Sequence, residues 1–354
     1  MDLELTDEQK LLDTSVETLL ERHADDPAAV WEKLVEFGGL MVDPEALGAV
    51  ELCLIARNLG TKLASVPYLG SAAVRYAVEP IEDLPAGFAN LAEEPTAIAV
   101  ALLEPGGSWS AERLSTRLDG EALNGEKCAV DSVPAAGQVL VVALDDQAPA
   151  LALVPLDATG LEVTAQDSID AGTPLSHISL AAVAVGPGYL LSGAAAAAAA
   201  ERLTAIGGLL AAAEANGAAG AMLAQATEYA GQRRQFGRTI GSNQALRHIL
   251  ADMYVRQTAS WSSILYSAAA LDDDASDAQR SASITKAFAA RACRDVAHGA
   301  MQVFGGIAFT EEHDAHRFLR RINLRGEQFG SAEHHERLLG RTLAAEARQT
   351  ASAG

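Results

Sequence analysis

The 354-residue chain is short of cysteine, of aromatic residues and of positive charge. Its three cysteines, Cys53, Cys128 and Cys293, are odd in number and far apart with no C-x-x-C pair, which argues against a disulfide framework or a structural zinc site. Lys plus Arg number 26 against 47 Asp plus Glu, a formal net charge of −21. A surface this acidic repels phosphate backbones and anionic lipid headgroups, so neither nucleic acid nor a membrane is an expected partner. The longest apolar stretch, around residues 190–200, is mostly alanine and stops at Glu201, too short to span a bilayer. The opening MDLELTDEQKLLDTSVETLLERH is charged and amphipathic and has no signal-peptide core, so the expected location is the cytoplasm.

What is abundant is alanine and, more broadly, hydrophobic residues at 49%, with charged residues at 21%. That mixture belongs to a globular protein with a sizeable core, and the length suggests two or three domains. Aromatics at only 5% favour small-residue helix packing over an all-β fold.

Periodicity divides the chain into 1–95, 96–187 and 188–354. In the first part Thr6-Asp-Glu-Gln9 is a capping box, followed by Leu11, Leu12, Val16, Leu19 and Leu20 at helical spacing. Gly38-Gly39 and Asp43-Pro44 interrupt the pattern, residues 51–59 resume it, and Pro67, Pro80 and Pro85 read as a loop-rich exit. The middle part holds short β-type runs (TAIAVALLEP, EALNGEKCAVDS, QVLVVAL, PALALVPL, LEVTAQD, SHISLAAVAV) between turn residues, the pattern of an antiparallel barrel or sandwich. The last part returns to long Ala- and Leu-rich helices, split by Asp272-Asp273-Asp274 and Gly305-Gly306, which predicts a helical bundle.

Two blocks in the last part are specific: EYAGQRRQFGRTIGSNQALRHILADM over 228–253, and QVFGGIAFTEEHDAHRFLRR over 302–321. Both resemble the acyl-CoA dehydrogenase family, whose patterns are roughly YxxxRxQFGxxIxxxQxxxHxLADM and QxxGGxGFTxEHxxHxxxRR. The helical–β–helical order resembles that family too. The resemblance implies a mainly α fold with a central β domain: an N-terminal helical domain, a middle antiparallel β-barrel and a C-terminal four-helix bundle. It also implies FAD shared at a subunit interface. Arg233, Gln235, Phe236, Gln302, Gly305 and Gly306 match the positions that reach a neighbour's FAD. The residue types suit that role, because a guanidinium donates paired hydrogen bonds to a pyrophosphate and Gly-Gly lets backbone approach a cofactor closely.

The family reaction converts an acyl-CoA thioester to its 2-enoyl-CoA, with a glutamate removing the α-proton and a hydride leaving the β-carbon for the flavin. That glutamate stands at one of two positions, and here they hold Phe329 and Gly207. Neither side chain accepts a proton. Glu327 and Glu214 are the nearest substitutes. The ring side of the flavin site departs as well. TEPxxGSD reads Leu103-Glu-Pro-Gly-Gly-Ser-Trp109, and in place of the family's KxWIT stands Lys127-Cys-Ala-Val-Asp131. Ala129 thus matches the Trp that packs on the flavin and Asp131 the Thr that bonds its edge. A carboxylate there disfavours an anionic reduced ring by like-charge repulsion. Where members often have a GGxG turn, this chain has Asp43-Pro-Glu-Ala-Leu-Gly48.

Contacts that reach a partner's FAD are therefore present, and those that would hold this chain's own flavin and remove a proton are altered. That division resembles the base-lacking subunit of the α2β2 acyl-CoA dehydrogenases of actinobacterial steroid side-chain degradation. It implies as partners a homologous subunit carrying the catalytic Glu, an acyl-CoA of steroid or bile-acid type, and an electron-transfer flavoprotein as acceptor. Two other readings remain open: a self-sufficient homotetramer using Glu327 or Glu214, and a flavin-free protein on the same scaffold. The histidines 248, 298, 313, 316, 334 and 335 offer no convincing metal set, and EHDAH belongs to the family motif. Trp31, Trp109 and Trp261 read as core or interface residues.

Overall fold

The structure, a computed structural model, describes residues 4–23, 25–43, 47–107 and 114–353. Ser108, Trp109 and residues 44–46 of the two altered motifs lie outside the described residues. The order is helical, then β, then helical. α1 (Asp7–His23), α2 (Pro27–Glu36), α3 (Ala49–Thr61), α4 (Tyr68–Val78) and α5 (Ala86–Glu93) precede eight strands between Ile98 and Leu191. α6 (Gly193–Gln232), α7 (Gln244–Asp272), α8 (Ala278–Phe304), α9 (Ala315–Glu327) and α10 (Ala332–Ala353) follow. By compactness the chain forms two units. One comprises Met1–Glu17, Cys53–Leu63 and Gly208–Gly354; the other comprises Thr18–Leu52 and Ala64–Gly207.

Local chemistry explains where the first helices begin. Gln9 N–H donates to Thr6 Oγ1 at 3.2 Å and Thr6 N–H donates to Gln9 Oε1 at 2.9 Å, the reciprocal pair of a capping box. The proline-marked region corrects the loop-rich reading. Pro67 and Pro85 directly precede α4 and α5, where a missing N–H is no loss and a fixed φ favours the first turn. α4 is buried over almost its whole length, and Arg75, 4% exposed, donates to the carbonyls of Ser71, Leu91, Glu94 and Thr96. Burial lowers its guanidinium pKa to about 10.

The β runs form one sheet. β1 (Ile98–Ala101), β2 (Arg117–Asp119), β3 (Ala122–Asp131), β4 (Gln138–Asp145), β5 (Ala148–Pro155), β6 (Leu161–Gln166), β7 (Leu175–Ala184) and β8 (Leu190–Leu191) follow the order β6-β7-β3-β2-β4-β5-β8, with β1 beside β4. The sheet is mixed rather than wholly antiparallel. One edge of β4 takes β5 antiparallel, while along its other edge β1 and then β2 run parallel to it. Alternation and apolar runs report burial, not strand direction, so this was not legible in the sequence. β4 and β5 are apolar along most of their lengths because nearly every residue is buried.

In the other unit, α6, α8 and α9 pack through Ala215, Ala218, Ala219, Ala226, Val296 and Ala297 among others. The helices approach closely because the contact residues are small. A Cβ on Gly217 would overlap the Arg57 carbonyl oxygen, and one on Gly60 would overlap that of Glu214. α6 has a window apolar enough to cross a membrane by length and composition, and 61% of it is buried within the chain, as in a bundle's central helix.

Candidate functional site

α6 ends in a hairpin. Arg233 N–H donates to the Tyr229 carbonyl at 2.8 Å, and the Arg233 carbonyl accepts from Ile240 N–H at 2.8 Å. β9 (Arg234–Gln235) and β10 (Arg238–Thr239) are joined by Phe236 and Gly237, at φ +52° and +79°. A two-residue turn with both φ values positive suits the twist of a hairpin, but Phe is an unusual occupant of the left-handed region. Its ring is 99% exposed, between the exposed side chains of Arg233, Arg234 and Arg238. Burial in this chain does not account for an aromatic residue held outward on a strained backbone.

α8 ends at the second motif. Gly305 has φ +66° and its N–H donates to the Met301 carbonyl, closing the helix. Gly306 has nothing within 4 Å of where a Cβ would stand, so packing in this chain does not require a glycine there. Gln302 and Gly306 are exposed, as are Ile307 and Phe309, the latter 76%. The rings of Tyr229 on α6 and Phe304 on α8 meet edge-on with centroids 5.6 Å apart. That contact brings Arg233, Gln235 and Phe236 to the same end of the bundle as Gln302, Gly305 and Gly306.

The two positions matched to a catalytic base are filled and held. Gly207 is buried in α6. Phe329, 7% exposed at φ +55°, lies in the turn between α9 and α10, and its carbonyl accepts from His335 Nε2 at 3.0 Å. Gly330 follows at φ +108°, and a Cβ there would stand 2.7 Å from that nitrogen. Arg325 Nη1 donates to Gln328 Oε1 at 2.5 Å, and the Arg325 carbonyl accepts from Lys286 Nζ, fully buried in α8. Burial lowers Lys286 to about 7, against the opposing pull of Glu327. Burial and the nearby Lys286 lower His335 to about 3. Glu214, 1% exposed, is clamped: Oε1 is 2.7 Å from Arg321 Nη1 and Oε2 is 3.0 Å from Arg325 Nε. Glu327 is exposed and lines a small cleft with Arg291, Arg294 and Glu333.

In the β unit, the altered ring-side motifs share a buried ion pair. Glu104 accepts from Lys127 Nζ at 2.8 Å, from Ser115 N–H and Oγ at 2.5 and 2.6 Å, and from Thr116 N–H at 2.9 Å. Burial alone would raise the Glu104 pKa, but these bonds outweigh it and hold it at about 2. Beyond Lys127 the β3–β7 register jumps, leaving a bulge in which Ala129 takes φ +51° and donates its N–H to Gln166 Oε1 at 2.8 Å. Asp131 accepts from Ser132 Oγ at 2.8 Å. Sequence reasoning missed Gln166 and Lys286, and considered His335 only as a metal ligand. Each acts through a partner far away in sequence or on another element, so no local motif announced them.

Two of the histidines, His313 and His316, serve a local turn. His313 Nδ1 accepts from Ala315 N–H at 3.0 Å at the start of α9, and His316 Nδ1 bonds the His313 carbonyl at 2.9 Å. Among the described residues no three His, Cys, Asp or Glu side chains gather as a metal set.

Comparison with known proteins matches residues 197–344 to the family described as "Acyl-CoA dehydrogenase, C-terminal domain". A curated relative, the acyl-CoA dehydrogenase IpdE2 of Mycolicibacterium smegmatis, is 38% identical over 131 residues, 37% of this chain and 40% of the relative. The match thus spans less than half of that relative. The ChsE4-ChsE5 complex of Mycobacterium tuberculosis contains a chain similar over 97% of this one and 99% of its own length, with TM-score 0.86 and 26% identity. A variant of the Tcur3481-Tcur3483 steroid ACAD is similar over 96% of this chain and 99% of its own, with TM-score 0.85 and 25% identity.

Proposed function

We propose that the chain is a member of the acyl-CoA dehydrogenase family and, within it, the base-lacking subunit of a heteromeric FAD-dependent acyl-CoA dehydrogenase. In this reading it completes the FAD site of a homologous partner that carries the catalytic glutamate. The observation that carries it is the outward hairpin. Arg233 and Phe236 are presented to solvent on a backbone that this chain's own packing does not reward, next to a glycine pair with open space around it.

Homologues in this family depend on FAD, and the fit here is divided. The end of the bundle suits the pyrophosphate and adenine half: a free-standing guanidinium, an exposed ring for stacking, and backbone that a phosphate can approach. The ring half finds an alanine, a carboxylate and an N–H already bonded within the chain. When bound, FAD supplies a hydride acceptor for the substrate β-carbon. This chain's residues orient the cofactor's distal half and exclude water from it. The proton is removed by the partner's carboxylate, because Glu214 is locked between two guanidiniums and Glu327 points into an arginine-lined cleft. That arrangement weighs against the self-sufficient homotetramer.

The substrate in this proposal is the CoA ester of a steroid or bile-acid side chain, with electrons passing on to an electron-transfer flavoprotein in the cytoplasm. The steroid assignment is supported by the likeness to the Tcur3481-Tcur3483 steroid ACAD, and the pairing by the likeness to a chain of the ChsE4-ChsE5 complex. Co-expression with a base-bearing homologue and native mass spectrometry test the reading. Two copies of each chain with two FAD are expected. Arg233→Ala should weaken FAD in that complex by roughly tenfold or more, the loss of a charge-assisted bond. A homotetramer of this chain alone that holds four FAD and oxidises acyl-CoA at full rate would overturn it.

A further inference from the structure

The β unit shows what lies over the strand that would face a flavin ring. β6 pairs with β7 and β7 with β3, so that Gln166 and Asp131 stand opposite the same residue, Leu175, from either side. Adjacent strands are about 4.8 Å apart, so the Gln166 side chain runs across β7 to reach the bulge on β3. There its carboxamide oxygen takes the Ala129 N–H at 2.8 Å. The neighbouring Cys128 N–H is also taken, by the Leu103 carbonyl at 2.9 Å. Both main-chain donors of the bulge are thus satisfied inside the chain. Neither is therefore left to donate to a ligand laid over the bulge without giving up a bond within the chain. The bulge conformation itself is intact, with Ala129 in the left-handed region, a strained backbone that an alanine gains nothing from adopting.

We propose that Gln166 closes this chain's own flavin seat: its carboxamide occupies the β3 bulge donor and its stem overlies the sheet face, with the Asp131 carboxylate beside it. The isoalloxazine is then excluded from this chain, and each pair of chains carries one FAD whose ring sits on the partner. This deepens the reading of the chain as a site-completing subunit and rests on it.

The purified full-length chain, without a partner, is the sample for the test, and FAD is the probe. Wild type should leave added FAD with the fluorescence and smooth visible band of the free cofactor. Gln166→Ala combined with Asp131→Thr, both on the sheet surface, should bind FAD about tenfold more tightly. It should also quench its fluorescence and sharpen its visible band, signs of a buried ring that a change in fold stability alone would not produce. Gln166→Glu, which keeps an acceptor oxygen, should behave as wild type. The proposal is overturned if the wild-type chain alone retains one ring-buried FAD per chain, or if the double variant binds FAD no better than wild type. Failure of the wider reading shows elsewhere, as no complex with a base-bearing homologue or no effect of Arg233→Ala on its FAD.

Discussion

Lys127 and Lys286 are both buried, yet among the described residues only Lys127 has a carboxylate within ion-pair distance. Removing one member of a buried pair strands the other, so Glu104→Gln should cost about 3–5 kcal/mol. Replacing both, Glu104→Met with Lys127→Met, should recover much of that loss in a double-mutant cycle read by chemical denaturation. Because Glu104 is depressed to about 2, its contribution is complete above the ordinary carboxylate range and is lost as pH falls from about 4.5 towards 2. Lys286 titrates in another window. Its folded-state value of about 7 lies below the ordinary 10.5, so between those values the unfolded chain binds the extra proton and stability rises with pH. Relative to Lys286→Met, wild type should gain up to about 1.4 kcal/mol per pH unit from about pH 7 to 10. A difference that stays flat across that range would mean the amine remains charged.

Between elements, the glycines of α3 and α6 decide how closely the helices cross. Gly217→Ala would drive a methyl into the Arg57 carbonyl, an overlap with backbone that no rotamer relieves, and should destabilise by about 1–3 kcal/mol or more. Gly340, inside α10 with nothing within 4 Å, makes the contrast: Gly340→Ala should stabilise by about 0.5–1 kcal/mol. Thermal denaturation of the two variants should move in opposite directions. The same scale shows what the sequence could reveal. The start of α1, the long helices and six of the strands were legible because capping residues and periodicity are local signals. α4 and α5 were hidden because prolines that begin helices look like prolines that break them. β2 was hidden by being three residues long, and the parallel pairings by being set only through long-range contacts.

Across the whole molecule, the residues proposed for the distal half of a cofactor fall in one compact unit and those proposed to close the ring seat in the other. The first set is a proposal the sequence alone suggests, because Arg233, Phe236, Gly305 and Gly306 lie on two continuous segments. At the ring side the sequence shows only the departures at Ala129 and Asp131, because Gln166 sits 37 residues beyond the bulge in an unremarkable strand. The net charge of −21 acts at this scale too. Like charges spread over a folded surface repel more strongly than along an expanded chain, so compaction works against the charge. Salt shortens the reach of that repulsion to about 10 Å at 0.1 M and less above it, while the buried pairs at Glu104 and Glu214 are screened little. The unfolding temperature should therefore rise when sodium chloride is increased from a few millimolar to about 0.2 M. A fall would mean that exposed ion pairs such as Arg291 with Glu333 and Glu336 outweigh the excess acidity. The Arg291→Ala variant separates the two: it should show a larger salt-induced rise than wild type, because it removes a favourable contact that salt weakens and leaves two more carboxylates unopposed.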